Sequence, residues 1–153
     1  MAYTAINDPT KHFNTVLYTG NGLSGRPVVG VGFQPDLIFQ TLRDEDGGAR
    51  CIFDSSRGTT KRLKTDTNTE EQTRSGVTAF DSDGFTLGDH ADSNTNQETA
   101  VAWNWLANGG TTTAVSASGS GASQILASTH QANTAAGFSI ILYTGTGATA
   151  TVS

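Results

Sequence analysis

Four aspartates in one stretch, Asp81, Asp83, Asp89 and Asp92, come nearest to a constellation that could do chemistry. D-S-D-G at residues 81–84 resembles the opening of a calcium loop, because carboxylates at alternate positions can point at one cation. A loop of about twelve residues begun there would close on Asp92, but Phe85, Leu87 and Gly88 stand where ligands are needed. The favoured reading is therefore a plain β-turn, and these four aspartates are the best metal candidates the chain offers. No cofactor is expected.

The remaining reactive side chains are scattered. His12, His90 and His130 lie far apart with no H-x-x-x-H spacing, so zinc binding is not expected. A lone Cys51 rules out an internal disulfide and any site built from several cysteines. Asp54 and Arg57, in D-S-S-R-G, suit a local ion pair that fixes a turn better than an arginine held out to a partner. The chain has no G-x-S-x-G elbow, no P-loop and no G-x-G-x-x-G between a strand and a helix. None of its fourteen acidic residues is marked by spacing as a glycosidase pair. The expectation is a protein that is not an enzyme.

Trp103 and Trp105 are the other notable pair. Exposed aromatics make stacking platforms, and a β-domain carrying one can hold sugars. A strand written V-A-W-N-W-L-A more often turns its tryptophans inward, where truncating one to alanine costs roughly 3–5 kcal/mol. Burial in the core is the expectation, with a ligand platform as the alternative.

These residues need a scaffold, and the sequence writes one in strands. Residues 37–42 put Leu37 and Phe39 on one face and Ile38 and Leu42 on the other, as a central strand requires. Pro27 and Pro35 bracket a second strand, and D-E-D-G-G at 44–48 signals a hairpin leading into residues 50–53. Residues 54–72 are polar and threonine-rich with no helical period, which reads as a long loop carrying at most a short strand or turn. Residues 77–88 are two strands about D-S-D-G. Residues 98–106 alternate so that Val101, Trp103 and Trp105 share a face. A Ser/Thr/Gly/Ala tract follows over 111–123, then a short strand over 124–128. No helix is predicted.

One segment is written twice. F-N-T-V-L-Y-T-G-N-G at 13–22 returns as F-S-I-I-L-Y-T-G-T-G at 138–147, 125 residues later. Either the second copy starts a further unit of the same kind, or the two are sister strands within one sheet, or the last strand completes a neighbouring copy. The domain reading is an N-terminal arm over 1–12, a sandwich over 13–137, and a C-terminal repeat strand over 138–153. Tyr3, Ile6 and Phe13 are the apolar docking residues of the arm region.

Composition sets the class. At 153 residues, one domain with one core is expected; 35% hydrophobic content with abundant Gly, Ser, Thr and Asn argues against a large helical core. The net charge of −5 gives no electrostatic footprint for nucleic acid or an anionic membrane. Seven of the nine basic residues fall between Arg43 and Arg74, and from Thr99 onward there is no Asp, Glu, Lys or Arg. That uncharged third suits either self-packing or subunit contacts. No basic and apolar leader opens the sequence, and no apolar run reaches ~18 residues, so membrane insertion is not expected.

Taken in order, Y-T-G-N-G, G-F-Q-P-D-L, F-D-S-S-R-G, F-D-S-D-G-F-T-L-G, V-A-W-N-W with N-G-G, and A-G-F-S-I-I-L-Y-T-G-T-G resemble a domain of tail-fibre-like and other virion proteins of bacteriophages, particularly aquatic ones. The resemblance implies a structural part of a virus particle, assembled in the host cytoplasm, and no catalytic residues carry over. The expected fold is an all-β antiparallel sandwich, jelly-roll or concanavalin-like. The expected role is an oligomeric, trimeric module of a tail fibre or appendage, whose partners are its own copies and other virion proteins. A capsid decoration protein and a module binding host-surface glycans are the alternatives. In that family the closing Y-T-G segment leads into a further β-rich unit, whereas this sequence stops there.

Overall fold

The computed structural model describes residues 7–44, 48–121 and 124–152. It is an all-β antiparallel sandwich with little helix. The strands are β1 (Phe13–Thr19), β2 (Arg26–Val29), β3 (Leu37–Leu42), β4 (Arg50–Asp54), β5 (Lys61–Lys64), β6 (Gln72–Thr73), β7 (Val77–Asp81), β8 (Gly84–Leu87), β9 (Thr99–Trp105), β10 (Thr113–Val115), β11 (Ser128–Asn133) and β12 (Phe138–Tyr143). The helical content among the described residues is a 3-10 turn at Pro9–Lys11, started by the Asp8 side chain, and one turn, α1, at Ala91–Asn94. No described helix is long and apolar enough to cross a membrane.

Six strands form the main sheet in the order β1-β9-β3-β4-β5-β6. Facing it is a smaller sheet, β2-β8-β7, and the core lies between them. Val16, Tyr18, Ile38, Leu42, Cys51, Phe53, Ala100 and Ala102 come from the main sheet; Val28, Val77, Phe85 and Leu87 come from its partner. Tyr18 meets Phe85 edge-on at 6.1 Å and donates its hydroxyl to the Ser93 carbonyl at 2.8 Å. β2 and β8 run close enough that a side chain at Gly84 would put its Cβ 2.0 Å from the Val28 carbonyl oxygen, so only glycine fits the turn end of D-S-D-G. Leu126 and Ile140 are buried around the third sheet, β10-β11-β12, apart from the main core.

β3 spans the expected residues and sits between β9 and β4. The two strands about D-S-D-G are β7 and β8. β3 and β4 form the expected hairpin, its tip at 45–47 lying outside the described residues, as do Tyr3 and Ile6 of the arm. The strand expected between Pro27 and Pro35 is shorter. It contains Pro27 and stops at Val29, because the Asp83 carboxylate takes the next free amides, Gly32 N–H at 2.6 Å and Gly30 N–H at 3.2 Å. The polar stretch at 54–72 carries β5 and runs into β6.

The two copies of the repeat are not neighbours in one sheet. β1 pairs with β9 at one edge of the main sheet, and β12 pairs with β11 at one edge of the third. Their burial is also out of phase: Val16 and Tyr18 are buried while their counterparts Ile141 and Tyr143 are exposed. The hairpin turn of β11 and β12 spans residues 134–137.

Candidate functional site

The four candidate aspartates each serve a different local structure. Asp81 accepts from the Thr86 hydroxyl at 2.7 Å, and Asp83 holds the amides after β2. Asp89 accepts from the Ser75 hydroxyl at 2.5 Å, which holds its carboxyl below the usual range. Asp92 pairs with the buried Arg62 guanidinium, with the Lys64 ammonium at 3.8 Å. Among the described residues no group of three or more His, Cys, Asp or Glu side chains is placed to hold a metal. The histidines are also apart. His12 Nδ1 lies 3.0 Å from the Asn133 amide, His130 is on β11, and His90 caps α1 by accepting from Asp92 N–H at 3.2 Å. Burial lowers the His90 pKa, as a cap that must accept a hydrogen bond requires. Asp54 and Arg57 form the expected structural ion pair at 2.5 Å, and Arg57 also donates to the Ile52 carbonyl and to Glu71.

Trp103 and Trp105 depart from the inward-facing expectation. The alternation on β9 is as read, but the core face belongs to Ala100, Ala102 and Asn104, and the tryptophans point the other way and are half-buried. Small residues are needed inward because β9 lies inside the main sheet, where Tyr18 of β1 and Phe53 of β4 already occupy the core and Phe85 stands opposite.

The strand registers make this outer face continuous. Phe13, Trp105 and Leu37 form one cross-strand row; Trp103, Phe39, Ile52 and Leu63 form the next; Leu17 and Val101 begin the third. Phe39 stacks on Trp103 at 5.3 Å and 26°, and Phe13 leans on Trp105 at 4.9 Å and 52°. Such aromatic pairs add about 0.5–1.5 kcal/mol each to simple burial. The tip of the β11–β12 hairpin covers one end, with Phe138 stacked over Trp105 at 6.2 Å and 25°. Elsewhere the face is half-buried to exposed, with Leu17 66% exposed and Phe13 and Leu63 each 37%. The Asp54–Arg57–Glu71 ion pairs stand at its rim.

Where the hairpin meets the sheet, a cleft of about 300 Å³ opens between Pro9, His12, Phe13, Trp105, Gly137 and Phe138. His12 and the indole of Trp105 bring its polar side-chain atoms, and the His12 Nδ1 is already engaged by Asn133. The cleft can therefore stack an aromatic or seat an apolar side chain, but it offers few donors to fix a sugar. A broader open groove of about 500 Å³ crosses the third sheet between Val115, Ala127, Leu142 and Tyr143, and no charged residue lines it.

Two residues that hold this face together carry no sequence signal of chemistry. Asp36 is fully buried and accepts from Ala107 N–H at 2.7 Å, Gly109 N–H at 2.8 Å, Gly110 N–H at 2.7 Å and the Ser55 hydroxyl at 2.6 Å. It fixes the N-G-G turn that follows Trp105. Gln131 donates to the Ser55 and Ser56 hydroxyls at 2.8 and 2.6 Å and accepts from Gly110 N–H, tying the third sheet to the sandwich.

Neither the curated proteins nor the solved structures include a match to this chain. A family model described as Domain of unknown function (DUF7483) matches residues 8–153, nearly the whole sequence, and the chain belongs to that family.

Proposed function

We propose that this chain is a structural module of a bacteriophage virion, part of a tail fibre or tail appendage, built into the particle in the host cytoplasm by association with its own copies, as a trimer, and with other virion proteins. The observation that carries the reading is the partly exposed aromatic and aliphatic face of the main sheet, from Leu17 and Phe13 across Trp105 and Trp103 to Leu63. A face of this kind is where soluble proteins meet partners, since large contiguous apolar patches are costly to leave in water. The uncharged third sheet beside it adds a second surface that associates by shape and apolar contact, which tolerates changes of salt. The likeness of motifs to phage virion proteins supplies the particle. The test is imaging of phage particles that carry a label on this chain. Label on the tail or its fibres supports the proposal, label over the head favours capsid decoration, and particles without label refute both.

The half-buried placement of Trp103 and Trp105 favours one second reading, a module that recognises a host-surface glycan. Screening the purified chain against glycans separates the two, because a glycan module loses binding with Trp105→Ala and an assembly module binds none.

A further inference from the structure

Natural sheets protect their edges, because a free row of N–H and C=O groups templates pairing with another chain. Among the described residues the three sheets have six edges, and four of them are guarded. β6 is two residues long and β10 three; β2 contains Arg26 and Pro27; β7 has a register shift between Val77 and Ala79 and ends in Asp81. The other two are β1 and β12. They are seven and six residues long, paired in unbroken register on their inner sides, and contain neither charge nor proline. They are also the two copies of the internal repeat. Of their side chains, Leu17 is 66% exposed, Tyr143 59% and Ile141 41%.

The backbone of β1 shows which part of its edge is open. Thr15 N–H bonds to the Asn14 side-chain oxygen at 2.9 Å, so it points away from β9, and alternation along the strand puts the N–H groups of Leu17 and Thr19 on the same outer side. Asn14 thus closes one position and, among the described residues, leaves the Leu17–Thr19 half unpaired.

We propose that β12 of one copy adds to the free edge of β1 in a second copy, so that the main sheet of one subunit continues into the third sheet of the next. Pairing β1 with β1 would leave every β12 edge bare. The β12-on-β1 contact, repeated from copy to copy, covers both open edges, and being head-to-tail it builds an open-ended or ring-closed assembly. The proposal rests on the reading of the chain as an assembly module and names the partner as a second copy.

The test uses two full-length variants, Leu17→Lys and Tyr143→Lys, with Thr19→Lys and Ile141→Lys as a second pair if either fails to fold. Each places a charge on an exposed edge position, and thermal unfolding checks that the fold is kept. In sedimentation velocity the unmodified chain is expected to associate with rising concentration, and each variant alone to associate at least tenfold more weakly. An equimolar mixture is expected to form one-to-one dimers, because the Leu17→Lys copy keeps an intact β12 and the Tyr143→Lys copy keeps an intact β1. Variants that associate like the unmodified chain would overturn the edge contact and leave the assembly reading standing. A mixture that stays monomeric would also overturn the β12-on-β1 pairing. An unmodified chain that is monomeric throughout would overturn both.

Discussion

Replacing Asp36 by alanine removes one carboxylate and unties three segments at once. Its two oxygens accept three backbone N–H bonds from the turn at 107–110 and one hydroxyl bond from Ser55, all between 2.6 and 2.8 Å. Each buried donor left without a partner costs about 1–3 kcal/mol. Ala107 is buried and bears that cost in full, while Gly109 is exposed and recovers part of its cost from water and Gly110 keeps its bond to Gln131. The sum is about 3–5 kcal/mol, a large fraction of the roughly 5–15 kcal/mol that holds a domain folded. Asp36→Asn keeps one carbonyl oxygen and the shape, and is expected to lose about half as much. Urea unfolding followed by tryptophan fluorescence measures both, and Trp105, adjacent to the freed turn, should report more solvent exposure before global unfolding. A loss below about 1 kcal/mol for Asp36→Ala would show that the turn is held by other contacts and that this account of the 107–110 turn is wrong.

Gly20 and Gly145 occupy equivalent positions of the repeat but face different neighbours. A Cβ at Gly20 would lie 2.1 Å from the Thr95 carbonyl oxygen, whereas one at Gly145 meets nothing within 4 Å; Gly20→Ala should therefore cost about 2–4 kcal/mol and Gly145→Ala within about 0.5 kcal/mol of nothing, read by the same denaturation assay. Burial pushes the Cys51 thiol up to about 11, so native protein at pH 8 should react with a thiol reagent at least 100-fold more slowly than unfolded protein, and rapid reaction would contradict the packing of β4. Burial depresses the His90 pKa below the ordinary 6.5, so the unfolded chain takes up the proton first. The stability tied to neutral His90 is complete above that value and falls away as the pH drops below it; the melting temperature should decline below about pH 6.5, and His90→Gln should flatten that decline.

Much of the sandwich was legible because the strands that bury one face alternate, and because β3, apolar on both sides, had to be central. The β-turn at D-S-D-G and the Asp54–Arg57 pair were legible for a local reason, since their partners lie within a few residues. What could not be read was direction. Alternation on β9 fixes that Val101, Trp103 and Trp105 share a face, but which face is buried depends on which side of the sheet the core forms, and the core residues Phe53 and Phe85 come from elsewhere in the sequence. The same limit applies to the repeat: Tyr18 and Tyr143 have matching neighbours in sequence, yet one is buried against Phe85 and the other exposed, because β12 lies in a different sheet and buries the alternate residue, Ile140. Asp36 and Gln131 were invisible for a third reason. Their work is to collect hydrogen bonds from segments as many as 76 residues away, which no local pattern records.

The central claim is that the outer aromatic face is a subunit contact, and acrylamide quenching of Trp103 and Trp105 across a dilution series tests it most directly. Association should bury the face, so quenching is predicted to be strong in dilute solution and to weaken as concentration rises, in step with a mass that climbs above the 15.9 kDa of one chain. Quenching that stays equally strong at every concentration, while the mass climbs or not, would contradict the account.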